Sequence, residues 1–201
     1  MLDGRKLVLV SVADKRLLMR ICPTLVKYFQ LVSTGGTFTT LQELEIPCIP
    51  VEEVTGLAEM LQGRVKTLHP AILAPLLAPD TPVALEELRV AGFTQFAGVI
   101  GNLYQFAAAI AKPGVTLLEA IEKIDIGGLT FLRATAKNFM AGLFAICDPD
   151  DYESVVAELD ANDGKLSYKT RLRLALKVFQ MTREYETAIA EYLAGQLEQL
   201  D

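Results

Sequence analysis

Two hydrophobic periods alternate along the chain. The runs "KLVLVSV" (6–12), "QLVS" at the head of "QLVSTGGT" (30–37), "FAGVIGNLY" (96–104) and "LFAICD" (143–148) are short, apolar and bounded by polar residues, which predicts buried strands. "IPCIPVEEV" (46–54) is also extended, and its two prolines predict an edge position. Helical spacing fills the intervals. Asp14 stands where an N-cap would, ahead of "KRLLMRICPTLVKYF", with Pro23 expected to kink that helix or end it early. "FTTLQELE", "PVALEELRVAG" (82–92), "TLLEAIEKI" (116–124) and "LTFLRATAKN" predict further helices. Strands alternating with helices predict an α/β fold, its parallel sheet covered on both faces.

From residue 149 the pattern becomes helical alone. Pro149 opens "PDDYESVVAELDAN" at a favourable first-turn position, and Ser167 or Thr170 caps a long final helix. Its apolar face is expected to include Leu172, Ala175, Leu176 and Phe179, then Tyr185, Ala188, Ile189 and Tyr192. The chain therefore reads as one domain, an α/β core over 1–148 with a helical extension over 149–201.

Composition narrows the classes. The 201 residues are 51% hydrophobic, yet the most apolar stretch, "AILAPLLAP" (71–79), is short and broken by Pro75 and Pro79. No run approaches the roughly 18 residues of a membrane helix, and the N-terminus lacks a signal-peptide pattern, so a cytoplasmic protein is expected. A net charge of −6 argues against a general nucleic-acid surface. Cys22, Cys48 and Cys147 are odd in number and widely spaced, and His69 is the single histidine. Neither a disulfide framework nor a transition-metal site is expected.

The candidate chemistry lies at strand ends. "STGGT" (33–37) can offer backbone N–H groups to a phosphate, although a plain tight turn fits it equally well. "SVADK" places Asp14 and Lys15 after the first strand. In "GRVKT", Arg64 and Lys66 would share one face if the segment were extended. "GNLYQF" brings Asn102 and Tyr104, and "DIGG" leads with Asp125, which could equally cap the next helix. Lys137 stands about three turns along that helix, where complementing the helix end is the plain explanation. In a parallel sheet the turns at the strand ends open onto one crevice.

Taken in order, "SVADK", "STGGT", "TGLAEMLQGRVKTLHP", "GNLYQF", "KPGVTLLEAIEKIDIGG", "LRATAKN" and the tail "TRLRLALKVFQMTREYETAIAEYL" resemble the IMP cyclohydrolase domain, the amino-terminal half of a bifunctional purine-biosynthesis enzyme. The resemblance covers almost the whole chain. It implies a three-layer, mostly parallel α/β sheet of the methylglyoxal-synthase-like type with added C-terminal helices. The reaction it implies is closure of 5-formamidoimidazole-4-carboxamide ribotide (FAICAR) to IMP with loss of water. It implies no cofactor and a homodimer. Nothing in the 201 residues resembles the transformylase half, so a stand-alone cyclohydrolase or an isolated domain is expected, with a functional link to a separate AICAR formyltransferase.

By the family pattern, Thr34, Gly35, Gly36 and Thr37 hold the ribotide phosphate, with Asp14 and Lys15 at the same end. Arg64, Lys66, Thr67, Asn102, Ile126 (through its backbone) and Gly127 line the nucleotide site. Lys137 matches the proton-transfer residue, Asp125 orients and deprotonates the carboxamide, and Lys66 and Tyr104 stabilise the oxyanion. His69 is expected to shape the turn before Pro70 rather than to act in the chemistry. The chain departs from the pattern at Ala13 (usually Ser), Gln105, Arg183 and the apolar run with Leu73, Pro75 and Pro79. Family histidines are replaced at Leu73, Phe139 and Met181. Two other readings remain: a non-catalytic nucleotide-binding module of the same fold, and a methylglyoxal-synthase-like lyase, which the single histidine disfavours.

Overall fold

The computed structural model describes residues 2–103, 106–111 and 113–200. Five strands form one all-parallel sheet: β1 (Leu7–Val12), β2 (Gln30–Ser33), β3 (Cys48–Pro50), β4 (Phe96–Asn102) and β5 (Phe144–Ile146), in the order β3-β2-β1-β4-β5. Val10 pairs with Ser33 on one side and Ile100 on the other. β1 is therefore central, and Leu7 through Val10 are fully buried. All five strands fall where the apolar runs predict them. The proline-flanked β3 is at an edge.

Alternate residues of each strand serve opposite faces. Leu7, Leu9, Val32 and Val99 pack beneath α4 (Pro70–Leu77), α8 (Gly127–Lys137) and α10 (Tyr168–Glu198). Val8, Val10, Leu31 and Ile100 pack beneath α1 (Leu18–Tyr28) and α9 (Tyr152–Ala161). Three layers result. The remaining helices are α2 (Gly35–Glu43), α3 (Glu52–Thr55), α5 (Pro82–Val90), α6 (Phe106–Ile110) and α7 (Leu117–Ile121).

Several local expectations are corrected. Asp14 does not cap α1. That helix begins at Leu18, and the Asp14 carboxylate instead pairs with Arg16 at 2.5 Å. Pro23 sits inside α1 without ending it. An internal proline costs roughly 3 kcal/mol, and burial of Leu18, Ile21, Cys22 and Leu25 outweighs it. "TLLEAIEKI" supplies only the short α7, capped by a reciprocal Thr116–Glu119 box.

The long helix α10 starts after Ser167, whose hydroxyl accepts the Thr170 N–H. Its early phase differs from the expected one. Leu174, Ala175, Val178 and Thr182 are buried, whereas Leu172, Leu176 and Phe179 are exposed. An ion cluster accompanies this phase. Buried Asp151 binds Arg173 at 2.5 Å and Lys177 at 2.9 Å, and Asp148 binds Lys177 at 2.6 Å, two cations one turn apart beside the buried 174/178 stripe.

Candidate active site

The first turn of the crevice is built by β1 and β2. Thr37 donates its hydroxyl proton to the Val12 carbonyl at 3.0 Å and accepts the Val12 N–H at 3.1 Å. Thr34 shares a 2.9 Å hydrogen bond with Ser11. Both threonine hydroxyls are thus engaged in fixing the turn. Gly35 and Gly36 remain at the surface as the first residues of α2, and Thr34 makes no side-chain cap. First-turn N–H groups have no intrahelical partner, so these two amides can take an anion. Gly35 has φ +44°, a left-handed geometry that suits glycine.

Two lysines approach this turn. A Cβ at Gly35 would lie 3.3 Å from Lys66 Nζ, and one at Gly36 would lie 3.7 Å from Lys15 Nζ. Open amides, a helix N-terminus and two ammonium groups therefore converge on one point.

Asn102, at the end of β4, spans the crevice floor. Its Oδ1 accepts the Asp14 N–H at 2.8 Å and its Nδ2 donates to the Asp14 carbonyl at 3.1 Å. Asn102 thereby positions the Asp14–Lys15 turn. Arg16 holds the Asp14 carboxyl down to a pKa of about 2, so that group stays ionised.

"GRVKT" is a succession of turns rather than a strand, and Arg64 has helical dihedrals. The two cations therefore separate: Arg64 pairs with Glu122 at 2.6 Å and Lys66 with Glu59 at 2.7 Å. Thr67 is buried, and a Cβ at Gly127 would fall 2.9 Å from its Oγ1, so the "KT" and "DIGG" turns abut. His69 caps α4, with Nδ1 accepting the Ala71 N–H at 3.1 Å. A small cavity of about 20 Å³ adjoins this segment, lined by Val51, Leu57, Met60 and Val65 beside Glu59 and Lys66.

Asp125 Oδ1 accepts the Gly128 N–H at 2.7 Å. Its own N–H donates to Tyr185 Oη at 2.7 Å, and that hydroxyl donates to the Lys123 carbonyl at 3.3 Å. Burial pushes the Asp125 carboxyl above the usual range, and the Gly128 amide offsets part of the rise. The Ile126 side chain is exposed, and its carbonyl is taken by Thr130. A Cβ at Gly128 would meet Leu103 Cδ2 at 2.9 Å, which joins "DIGG" to the end of β4.

The structure thus brings Asp14, Lys15, Thr34, Gly35, Gly36, Thr37, Lys66, Thr67, Asn102, Asp125, Ile126 and Gly127 around the carboxyl edge of the sheet. Arg64 flanks that edge on its own carboxylate. Tyr104 lies outside the described residues. Lys137 does not share the crevice within one chain. It is exposed at the far end of α8, ten residues and about 15 Å along the axis from Gly127. Sequence reasoning missed Ser11, Glu59 and Tyr185. Glu59 stands inside a quoted motif, whereas Tyr185 is sixty residues from Asp125 and no local pattern links the two. Among the described residues no group of three or more His, Cys, Asp or Glu converges as a metal site.

An all-parallel five-stranded sheet with glycine turns along its carboxyl edge places this chain in a known class. It belongs to the family of MGS-like domains, whose model matches residues 23–130. The helical end, residues 135–201, matches a second model, the AICARFT/IMPCHase bienzyme. The bifunctional purine biosynthesis protein PurH of Lactiplantibacillus plantarum is 48% identical over 190 residues, 94% of this chain and 37% of that protein. PurH of Chloroflexus aurantiacus is 49% identical over 187 residues, 92% of this chain and 36% of its own length. The chain spans a little over a third of these relatives. A crystal structure of ForH superposes with a TM-score of 0.84 at 29% identity, covering 93% of this chain and 98% of that one.

Proposed function

We propose that this chain is an IMP cyclohydrolase of purine biosynthesis, closing FAICAR to IMP. The observation that carries the reading is Asp125. A half-buried carboxylate with a raised pKa leads the "DIGG" turn, whose Gly127 abuts Thr67, and the cation-flanked glycine turn lies along the same edge of the sheet. Similarity to PurH proteins supports the substrate assignment.

The phosphate sits on the Gly35 and Gly36 amides, neutralised by Lys15 and Lys66. The carboxamide nitrogen attacks the formyl carbon of the same molecule, so holding the folded conformer supplies much of the acceleration. As the new C–N bond forms, Asp125 takes a proton from the carboxamide nitrogen, and Tyr104 stabilises the oxyanion, Lys66 being committed to the phosphate end, where its ammonium lies beside Gly35. The oxyanion is then protonated. The hydroxyl leaves as water with a second proton, and the former formamide nitrogen loses its hydrogen to complete the ring. Lys137 enters only when a second copy delivers it, which makes the homodimer part of the proposal. A cytoplasmic setting completes the reading.

The test is to add FAICAR to the full chain and follow IMP absorbance. Turnover above the spontaneous rate is expected. Tight IMP binding without turnover would favour the non-catalytic module instead.

A further inference from the structure

Lys66 is not a free cation. Its side chain is 18% exposed, and its ammonium is bound to Glu59 at 2.7 Å while lying at the glycine turn beside Gly35. A Cβ at Gly63 would fall 3.1 Å from Glu59 Oε1 and 3.0 Å from Lys66 Nζ, so carboxylate and ammonium share one small space. A bound phosphate monoester brings a charge of about −1.5 to −2. Lys15 and Lys66 together match that charge, and Glu59 beside them makes the cluster net negative.

The segment carrying Glu59 is largely exposed. Leu57, Met60 and Leu61 are 53%, 52% and 61% exposed. Leu61, Gln62 and Gly63 follow one another at φ +51°, +54° and +83°. Two successive non-glycine residues in the left-handed region store strain that persists only under external restraint. The Glu59–Lys66 pair supplies such a restraint across this bend.

We propose that Glu59 is a positioning residue for Lys66, holding the ammonium at the glycine turn and exchanging it for the ligand's phosphate on binding. The inference rests on the reading above in placing a phosphate on the Gly35–Gly36 turn. Glu59 thereby competes with every phosphate-bearing ligand. It lowers ground-state affinity and keeps Lys66 aimed between turnovers.

The test is calorimetric titration of the full chain and of Glu59→Gln with IMP and with inorganic phosphate at low salt. Removing a competitor from a partly exposed pair should lower both Kd values about two- to fivefold, and Glu59→Asp, which keeps the charge, should return them toward wild type. A Glu59 that merely braced the bend would, when replaced, leave both Kd values unchanged or raise them. Unchanged or raised Kd values in a folded Glu59→Gln chain overturn the inference while leaving the cyclohydrolase reading intact. Lowered values in a chain that fails to turn over FAICAR uphold the inference and remove the cyclohydrolase reading. No binding of either probe by wild type overturns both.

Discussion

At the scale of single residues, the carboxylate on the "DIGG" turn sets the pH behaviour. Burial raises the Asp125 pKa, so the folded chain holds this proton more tightly than the unfolded chain does. Its stabilising contribution is full below the ordinary aspartate pKa and is lost as pH rises through the raised value. Above that value Asp125 is an ionised base held at a cost in stability. The acid limb of kcat/KM should therefore lie above about 4, measured as a pH–rate profile, and Asp125→Asn should lose turnover without lowering the melting temperature at neutral pH. His69 belongs to the opposite class. Its Nδ1 is taken by the Ala71 N–H, and losing a cap typically costs about 1 kcal/mol. His69→Ala should lower the unfolding free energy by that amount in chemical denaturation, and turnover should survive in the folded fraction.

At the scale of elements, the glycine turns are spacers that set one element against the next. A methyl at Gly128 would strike the Asp125 carboxylate and Leu103 together, and neither can yield without moving the end of β4 or the base. Gly128→Ala should cost roughly 1–3 kcal/mol by chemical denaturation and reduce kcat about 10²-fold through misplacement of Asp125. A cost in stability with kcat unchanged would show that the carboxylate is not positioned by this packing. The same scale shows what the sequence could and could not reveal. The five strands and the glycine turns were legible because burial on both faces and φ-permissive turns each impose a local signature. The phase of α10 was not, since Leu172, Leu176 and Phe179 offer a second apolar stripe. The ion pairs of Asp148 and Asp151 with Arg173 and Lys177, made from a separate element, favour the 174/178 stripe. The alternation in "GRVKT" misled for a related reason. Glu59 and Glu122 draw its two cations apart, and neither contact is encoded in the spacing.

At the scale of the whole molecule, α8 runs antiparallel to the strands, so Gly127 and Lys137 stand at opposite edges of the sheet. One chain therefore offers Asp125 and Lys66 to its crevice and Lys137 to another surface. If Lys137 transfers protons, as the family resemblance implies, it does so in the crevice of a second copy, and each site of the homodimer draws on both chains. This arrangement has a signature that no single-chain site can produce. Lys137→Ala and Asp125→Asn should each be nearly inactive alone. Mixed and allowed to exchange subunits, they form hybrids in which one site carries both substitutions and the other neither. With random pairing, half the dimers are hybrids with one intact site of two, so about a quarter of wild-type turnover should return. Full turnover by Lys137→Ala on its own would remove Lys137 from the chemistry. Two inactive variants that stay inactive after verified exchange would place Lys137 and Asp125 at the same site within one chain, against the geometry of α8.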